Sequence, residues 1–117
     1  MNESIDTTLA LEQAAGNETL AKELFGMLVN ELPELNTKLT QAIADHNTLA
    51  MWDHAHKIYG ATAYCGVPAL RNAAKEMEAA IKAVEEHRIQ QCYTALNREI
   101  GQLLKVAPEW LAKTWSY

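Results

Sequence analysis

Cysteine is nearly missing from this chain of 117 residues: only Cys65 and Cys92 occur, too few for a disulfide scaffold or a cysteine zinc site. Proline and glycine are also scarce, at 3 and 5. No apolar run approaches the ~18–20 residues of a membrane span. No apolar stretch follows a basic N-terminus, so a secretory leader is not expected. A basic excess is lacking as well. Fifteen acidic residues against ten basic give a net charge of −5, which argues against a nucleic-acid binder and its dense basic stripe. There is no phosphate-cradling glycine loop, no Ser-His-Asp motif and no HExxH. What is present is a chain 49% apolar and 21% charged, able to bury a core rather than stay disordered. Its length suits one domain, and the expectation is a soluble, reduced, cytoplasmic one.

Every long segment carries the 3.6-residue apolar period, and nothing alternates as a strand would. Leu70, Ala74, Met77, Ile81 and Val84 step by four and three, as do Ile89, Tyr93, Leu96, Ile100 and Leu103. Each set forms one apolar stripe, the spacing of a bundle seam. Breakers then divide the chain into six helical segments. Thr7 or Thr8 caps a short first helix ending near Gly16. Asn17 opens a second, which Pro33 ends or kinks. Leu35, Leu39 and Ile43 carry a third to Asp45–Asn47, and a fourth runs from Thr48 to Cys65. After the turn Gly66-Val67-Pro68, a fifth runs to about Glu86. The sixth begins near His87–Ile89 and continues to Pro108. Short connections favour antiparallel neighbours. The prediction is one all-α domain over residues 1–117, an antiparallel up-down four-helix bundle with a short additional N-terminal helix. The bundle core lies at about 17–107, the cap helix at 1–16 and the tail at 108–117, with Trp110, Leu111, Trp115 and Tyr117 folding back.

Four histidines, His46, His54, His56 and His87, are the candidates for chemistry. On a wheel at ~100° per residue, Trp52, Asp53, Tyr59, Gly60 and Ala63 lie within roughly 60° of His56. Met51, Ile58, Ala61 and Cys65 form the opposite, core side, where His54 also falls, about 160° from His56. Histidines at i and i+2 point apart, whereas a metal site wants i and i+3 or i+4, so no metal site is expected. His54 reads as a core or boundary histidine hydrogen-bonded to a neighbour. His46 reads as solvated at a helix end, and His87 as favouring the dipole at the end of the fifth helix. His56 differs, because Gly60 follows one turn later on the same face. Mid-helix glycine costs about 1 kcal/mol relative to alanine, and here it clears the backbone for a close approach from outside.

The run His56-Lys57-Ile58-Tyr59-Gly60-Ala61-Thr62-Ala63-Tyr64-Cys65-Gly66, followed by Leu70 and Met77-Glu78, resembles the histidine-containing phosphotransfer (HPt) domain. That family shows H-x-L-K-G-[SA]-x-x-x-x-G and a downstream L…[LI]-[EQ]. The Gly-Val-Pro turn and the stretch Leu32–Leu35 look like the C-terminal HPt domain of BarA/GacS-type hybrid sensor kinases. The resemblance spans about Ile5 to Gln102, and it departs from the pattern at Tyr59, where the family has lysine.

The resemblance implies that His56 accepts a phosphoryl group from the receiver domain of a hybrid sensor kinase and passes it to a response regulator. An unperturbed imidazole titrates near pH ~6.5, so much of it is a neutral nucleophile in the cytoplasm. No cofactor is expected in this chain, because the partner receiver supplies Mg²⁺ and the phosphate-binding groups. The domain would be a phosphocarrier without turnover of its own and a monomer, in contact with neither nucleic acid nor membrane. It would be either a stand-alone carrier or the cytoplasmic C-terminal domain of an inner-membrane kinase. Hairpin counting gives a second residue. His56 stands ten positions before Gly66 and Glu78 ten after Pro68, which sets them level. By the resemblance, Glu78 then orients His56. Lys57 and Lys82 are candidates to balance the phosphoryl charge, with Arg71 and Lys75 as further options. Trp52, Tyr59, Gly60 and Ala63 are candidates for partner docking. The alternative is an HPt-like interaction module that docks receivers without phosphotransfer, which would need neither His56 nor Glu78.

Overall fold

The computed structural model describes residues 4–116; Tyr117 and residues 1–3 lie outside the described residues. Five helices follow one another: α1 (Thr7–Gln13), α2 (Glu18–Ala44), α3 (Thr48–Ala61), α4 (Pro68–Ala83) and α5 (Glu86–Ala112). Helix α2 packs against α3 and α5, and α4 against α3 and α5, so the four long helices close into a bundle with α1 laid against α2. Three starts are fixed by side-chain caps. Asp6 accepts from the Leu9 N–H at 3.0 Å, Asn17 from Leu20 at 2.9 Å and Asn47 from Ala50 at 3.1 Å, each satisfying an N–H with no helical partner. Asp6 thus takes the place expected of Thr7 or Thr8, because its carboxylate reaches back from the extended residue before the helix.

Pro33 does not end the helix. The expected second and third segments are one helix of 27 residues, about 40 Å long at 1.5 Å per residue. Pro33 itself is exposed, while Phe25, Leu28, Leu32 and Leu39 on the opposite side are fully buried. The ring removes one N–H on the water side, and burial on both sides of it carries the helix through. Pro108 is passed in the same way within α5, so the last helix ends at Ala112 rather than Pro108. The third long segment is shorter than expected: α3 ends at Ala61, and residues 62–66 form a turn in place of a helix to Cys65. Helix α4 ends at Ala83 because Val84 takes a left-handed φ of 52°, with its N–H returned to Ala80 O and Ile81 O. His87 therefore lies in the first turn of α5, not the last turn of α4, where the dipole opposes a cation rather than favouring it.

Of the residues expected to fold back, Trp110 and Leu111 lie in α5, Tyr117 is outside the described residues, and Trp115 does return to the bundle. Trp115 is buried at 3% exposure, and its ring meets Phe25 edge-on at 5.6 Å and 72°. Its indole N–H donates to the Trp110 carbonyl at 2.8 Å and its backbone N–H to the Glu18 carboxylate. No helix among the described residues is long and apolar enough to cross a membrane.

The turn between α3 and α4 is locked from outside. Gly66 adopts φ +64°, and a Cβ there would lie 2.5 Å from Asp6 O and 2.6 Å from Ala10 Cβ. Its carbonyl accepts from the Asp6 N–H at 2.7 Å. Gln13 accepts from the Gly66 N–H at 3.1 Å and donates to the Ala63 carbonyl at 3.1 Å. Helix α1 is thereby a clamp on the turn, and the turn sets the register of α3 against α4.

Candidate functional site

That register brings His56 on α3 and Glu78 on α4 side by side. His56 Nδ1 lies 2.6 Å from Glu78 Oε1, with side-chain exposures of 55% and 15%. A carboxylate only accepts, so in the neutral imidazole this bond places the ring hydrogen on Nδ1 and leaves the lone pair on Nε2. Charge-assisted bonds of this kind are short and strong. The bond selects one tautomer of the neutral ring and holds the half-exposed imidazole at its Nδ1 edge.

Trp52, one turn before His56, stacks on the imidazole, with ring centroids 4.6 Å apart and planes 10° from parallel. The indole is half-buried against the core, and its Nε1 is buried with no hydrogen-bond partner among the described residues. Tyr59 is half-buried too. The Arg71 guanidinium sits 4.1 Å from its ring centroid and donates to the Tyr59 carbonyl at 3.1 Å and Thr62 Oγ1 at 3.2 Å. Arg71 thus closes the C-terminal end of α3, where a cation meets the negative end of the dipole, and covers one face of the ring that the sequence had offered to a partner. Gly60 is exposed, and a Cβ there would meet nothing within 4 Å. Ala63 is half-buried. Around Gly60 the surface is open.

Among the cations, Lys57 pairs with Asp53 at 3.2 Å. Lys82, one turn beyond Glu78, is exposed, as is Lys75. The remaining histidines stay apart from the site. His46 is exposed at the left-handed end of α2, with φ 53° and Glu86 at 3.7 Å. His54 departs from expectation: it is half-buried, but its buried Nδ1 has no hydrogen-bond partner among the described residues, none of which presents a group to it. Cys65 is buried, its Sγ near the carbonyls of Leu24 at 3.4 Å and Ala61 at 3.3 Å, and burial pushes its thiol up to about 11. Among the described residues no group of three or more His, Cys, Asp or Glu comes together to hold a metal ion.

The family model of the Hpt domain matches residues 23–106. The chain belongs to the Hpt domain family. Over 82 residues it is 35% identical to the signal transduction histidine-protein kinase BarA of Shigella flexneri, a match that covers 70% of this chain and 9% of that protein. Over 99 residues it is 32% identical to the sensor histidine kinase GacS of Pseudomonas protegens, covering 85% and 11% respectively. The Hpt chain thus spans about a tenth of the length of these relatives. A crystal structure of the HPT domain from a Shewanella hybrid histidine kinase superposes with a TM-score of 0.86 at 27% identity, covering 97% of each chain. The expected bundle with its extra N-terminal helix is therefore the Hpt fold.

For three residues of this site, type and spacing missed the contact each makes. Gln13 lies 53 positions from Gly66, and nothing local marks it. Arg71 read as a further option to balance the phosphoryl charge, although its place just after the Gly-Val-Pro turn brings it back over the end of α3. Trp52 was visible on the His56 face, but its contact with the ring was not.

Proposed function

We propose that this Hpt domain is a phosphocarrier of a multistep phosphorelay. His56 takes a phosphoryl group from an aspartyl phosphate of one receiver domain and passes it to the aspartate of a response regulator. The observation that carries the reading is the 2.6 Å bond between His56 Nδ1 and Glu78. In the forward step the Nε2 lone pair forms the N–P bond. The bond from phosphorus to the donor carboxylate oxygen breaks, and its electron pair leaves on that carboxylate. Nδ1 keeps its hydrogen, so the ring gains a positive charge as the phosphoryl group arrives. Glu78 faces that charge and stabilises it where it develops. The reverse step, onto a second receiver, uses the same contacts.

A half-exposed ring on a rigid helix needs no pocket of its own, since the receiver brings Mg²⁺ and its phosphate-binding groups. Transfer then occurs in the cytoplasm, on a monomer whose His56 face is free. The open surface at Gly60, flanked by Trp52, Tyr59 and Ala63, admits the receiver to contact distance, and Lys57 and Lys82 offset the phosphoryl charge. A docking module without transfer would have no use for the His56–Glu78 bond, which favours the carrier reading.

The test is phosphate transfer from a receiver phosphorylated by a small-molecule donor in Mg²⁺. Wild type acquires acid-labile, alkali-stable label and His56→Gln acquires none. Equal label on His56→Gln, or none on wild type from several receivers, overturns the proposal.

A further inference from the structure

Trp52 gives up its polar group to hold its place. A buried indole N–H ordinarily finds an acceptor, yet here Nε1 is buried without one among the described residues. What the residue uses is its ring face, laid 4.6 Å from the imidazole of His56 and within 10° of parallel. A tryptophan that only filled the core would have no reason to align with an exposed side chain. With Glu78 on Nδ1 at 2.6 Å, the imidazole is held at its edge by a residue of α4 and on its face by a residue of its own helix.

We infer that Trp52 is a positioning residue for phosphoryl transfer, its indole face fixing the His56 ring with Nε2 outward and stabilising the positive charge the ring carries once phosphorylated. The inference rests on the reading of His56 as acceptor. When Nε2 bonds to phosphorus and the donor carboxylate departs with the electron pair, the imidazole keeps its Nδ1 hydrogen and becomes cationic. A cation within about 6 Å of a tryptophan face is drawn to the negative π cloud, and the observed separation lies inside that range. Restricting the ring to one orientation also removes a freedom that would otherwise be lost at the moment of attack.

The experiment compares wild type with Trp52→Phe and Trp52→Leu in the intact domain. In the unphosphorylated wild type, the His56 ring protons appear at high field in NMR spectra from the indole ring current, and Trp52→Leu abolishes that displacement. Phosphohistidine decay and transfer to a receiver are then timed. Trp52→Leu speeds decay about two- to fivefold, the range for an exposed cation–π contact, and Trp52→Phe restores part of the lifetime. Phosphorylation also alters the indole fluorescence of wild type but not of Trp52→Phe, which assigns the signal to this one of three tryptophans. Absence of the ring-current displacement, or equal decay and transfer in Trp52→Leu, overturns the inference while labelled wild type keeps the acceptor reading. Losses in both variants that simply follow their melting temperatures overturn it too, as a structural effect. A wild type that takes up no label refutes the acceptor reading and this inference together.

Discussion

Removing the Glu78 carboxylate slows phosphoryl transfer without unfolding the domain. In the structure Glu78 makes one short bond to Nδ1 of His56, and under the proposed function that ring gains a positive charge as Nε2 takes up phosphorus. Hydrogen bonds to charged groups contribute about 1.5–3 kcal/mol. The His56 side chain is 55% exposed, so water screens the interaction and ~1–2 kcal/mol is the better figure. That corresponds to a transfer rate about 5- to 30-fold lower in Glu78→Ala, at tenfold per ~1.36 kcal/mol. Glu78→Gln separates two effects. Its amide oxygen still accepts from Nδ1–H and holds the tautomer, but it no longer opposes the developing charge, so its rate falls between wild type and alanine, roughly two- to fivefold down. The assay is single-turnover transfer from a phosphorylated receiver at saturating domain, beside a thermal melt followed by circular dichroism. Glu78 is partly buried, but its one side-chain partner is the half-exposed His56 ring rather than the core, so the melts stay close together. Transfer by Glu78→Ala at the wild-type rate refutes the reasoning. A Glu78→Gln domain as slow as alanine refutes the tautomer part of it and leaves only charge.

Three further outcomes are expected. Gly60→Ala stabilises the domain by about 1 kcal/mol, since a Cβ there meets nothing within 4 Å and glycine is the poorer helix former, whereas Gly60→Glu keeps the fold but loses receiver docking; denaturant melts and binding titrations check the pair. Gly66→Ala loses roughly 2–4 kcal/mol from its left-handed backbone and the clash with α1, read as a lower denaturation midpoint; a wild-type midpoint disproves the clamp between α1 and the turn. Cys65 resists thiol reagents at neutral pH while Cys92, half-buried, reacts first. The raised Cys65 value also has a sign for stability: its contribution is full below the ordinary thiol range near pH ~8.5 and is lost as the pH rises toward about 11, because the unfolded thiol ionises first. Stability in urea melts across that window falls with rising pH in wild type and less in Cys65→Ala.

How much of this was legible in the sequence depended on whether a feature is set by spacing along one helix or by partners on another. The pairing of His56 with Glu78 was visible because a hairpin of two regular helices makes equal counts from the turn lie level, and Gly66-Val67-Pro68 marks the reversal. The continuity of α2 was not. Pro33 is a breaker on local grounds, and only the burial of Leu28 and Leu32 before it and Leu39 after it shows that packing outweighs one lost hydrogen bond on the wet side. The end of α4 failed for a related reason. Val84 extends the apolar period by one step, yet it is exposed and takes a left-handed φ that its β-branched side chain disfavours. Periodicity cannot reveal that the chain must turn there to send α5 back.

The face around His56 shows the limit most sharply. A helical wheel puts Trp52, Tyr59, Gly60 and Ala63 beside it with equal weight, as four residues of one docking surface. In the folded domain they do different things, and the difference is decided from outside α3. Arg71, reaching over from α4, takes one face of the Tyr59 ring. Gln13, from α1, holds the Ala63 carbonyl. With Tyr59 occupied and Gly60 bare, the aromatic left in contact with the imidazole is Trp52. Tyr59, where the sequence departs from the family pattern, is thus engaged within the bundle rather than left free. A guanidinium returns to that tyrosine from the neighbouring helix, and it does so by closing the helix end, where its charge also meets the dipole. Spacing along α3 reveals the direction in which each side chain leaves the helix; what each then touches is a property of the bundle.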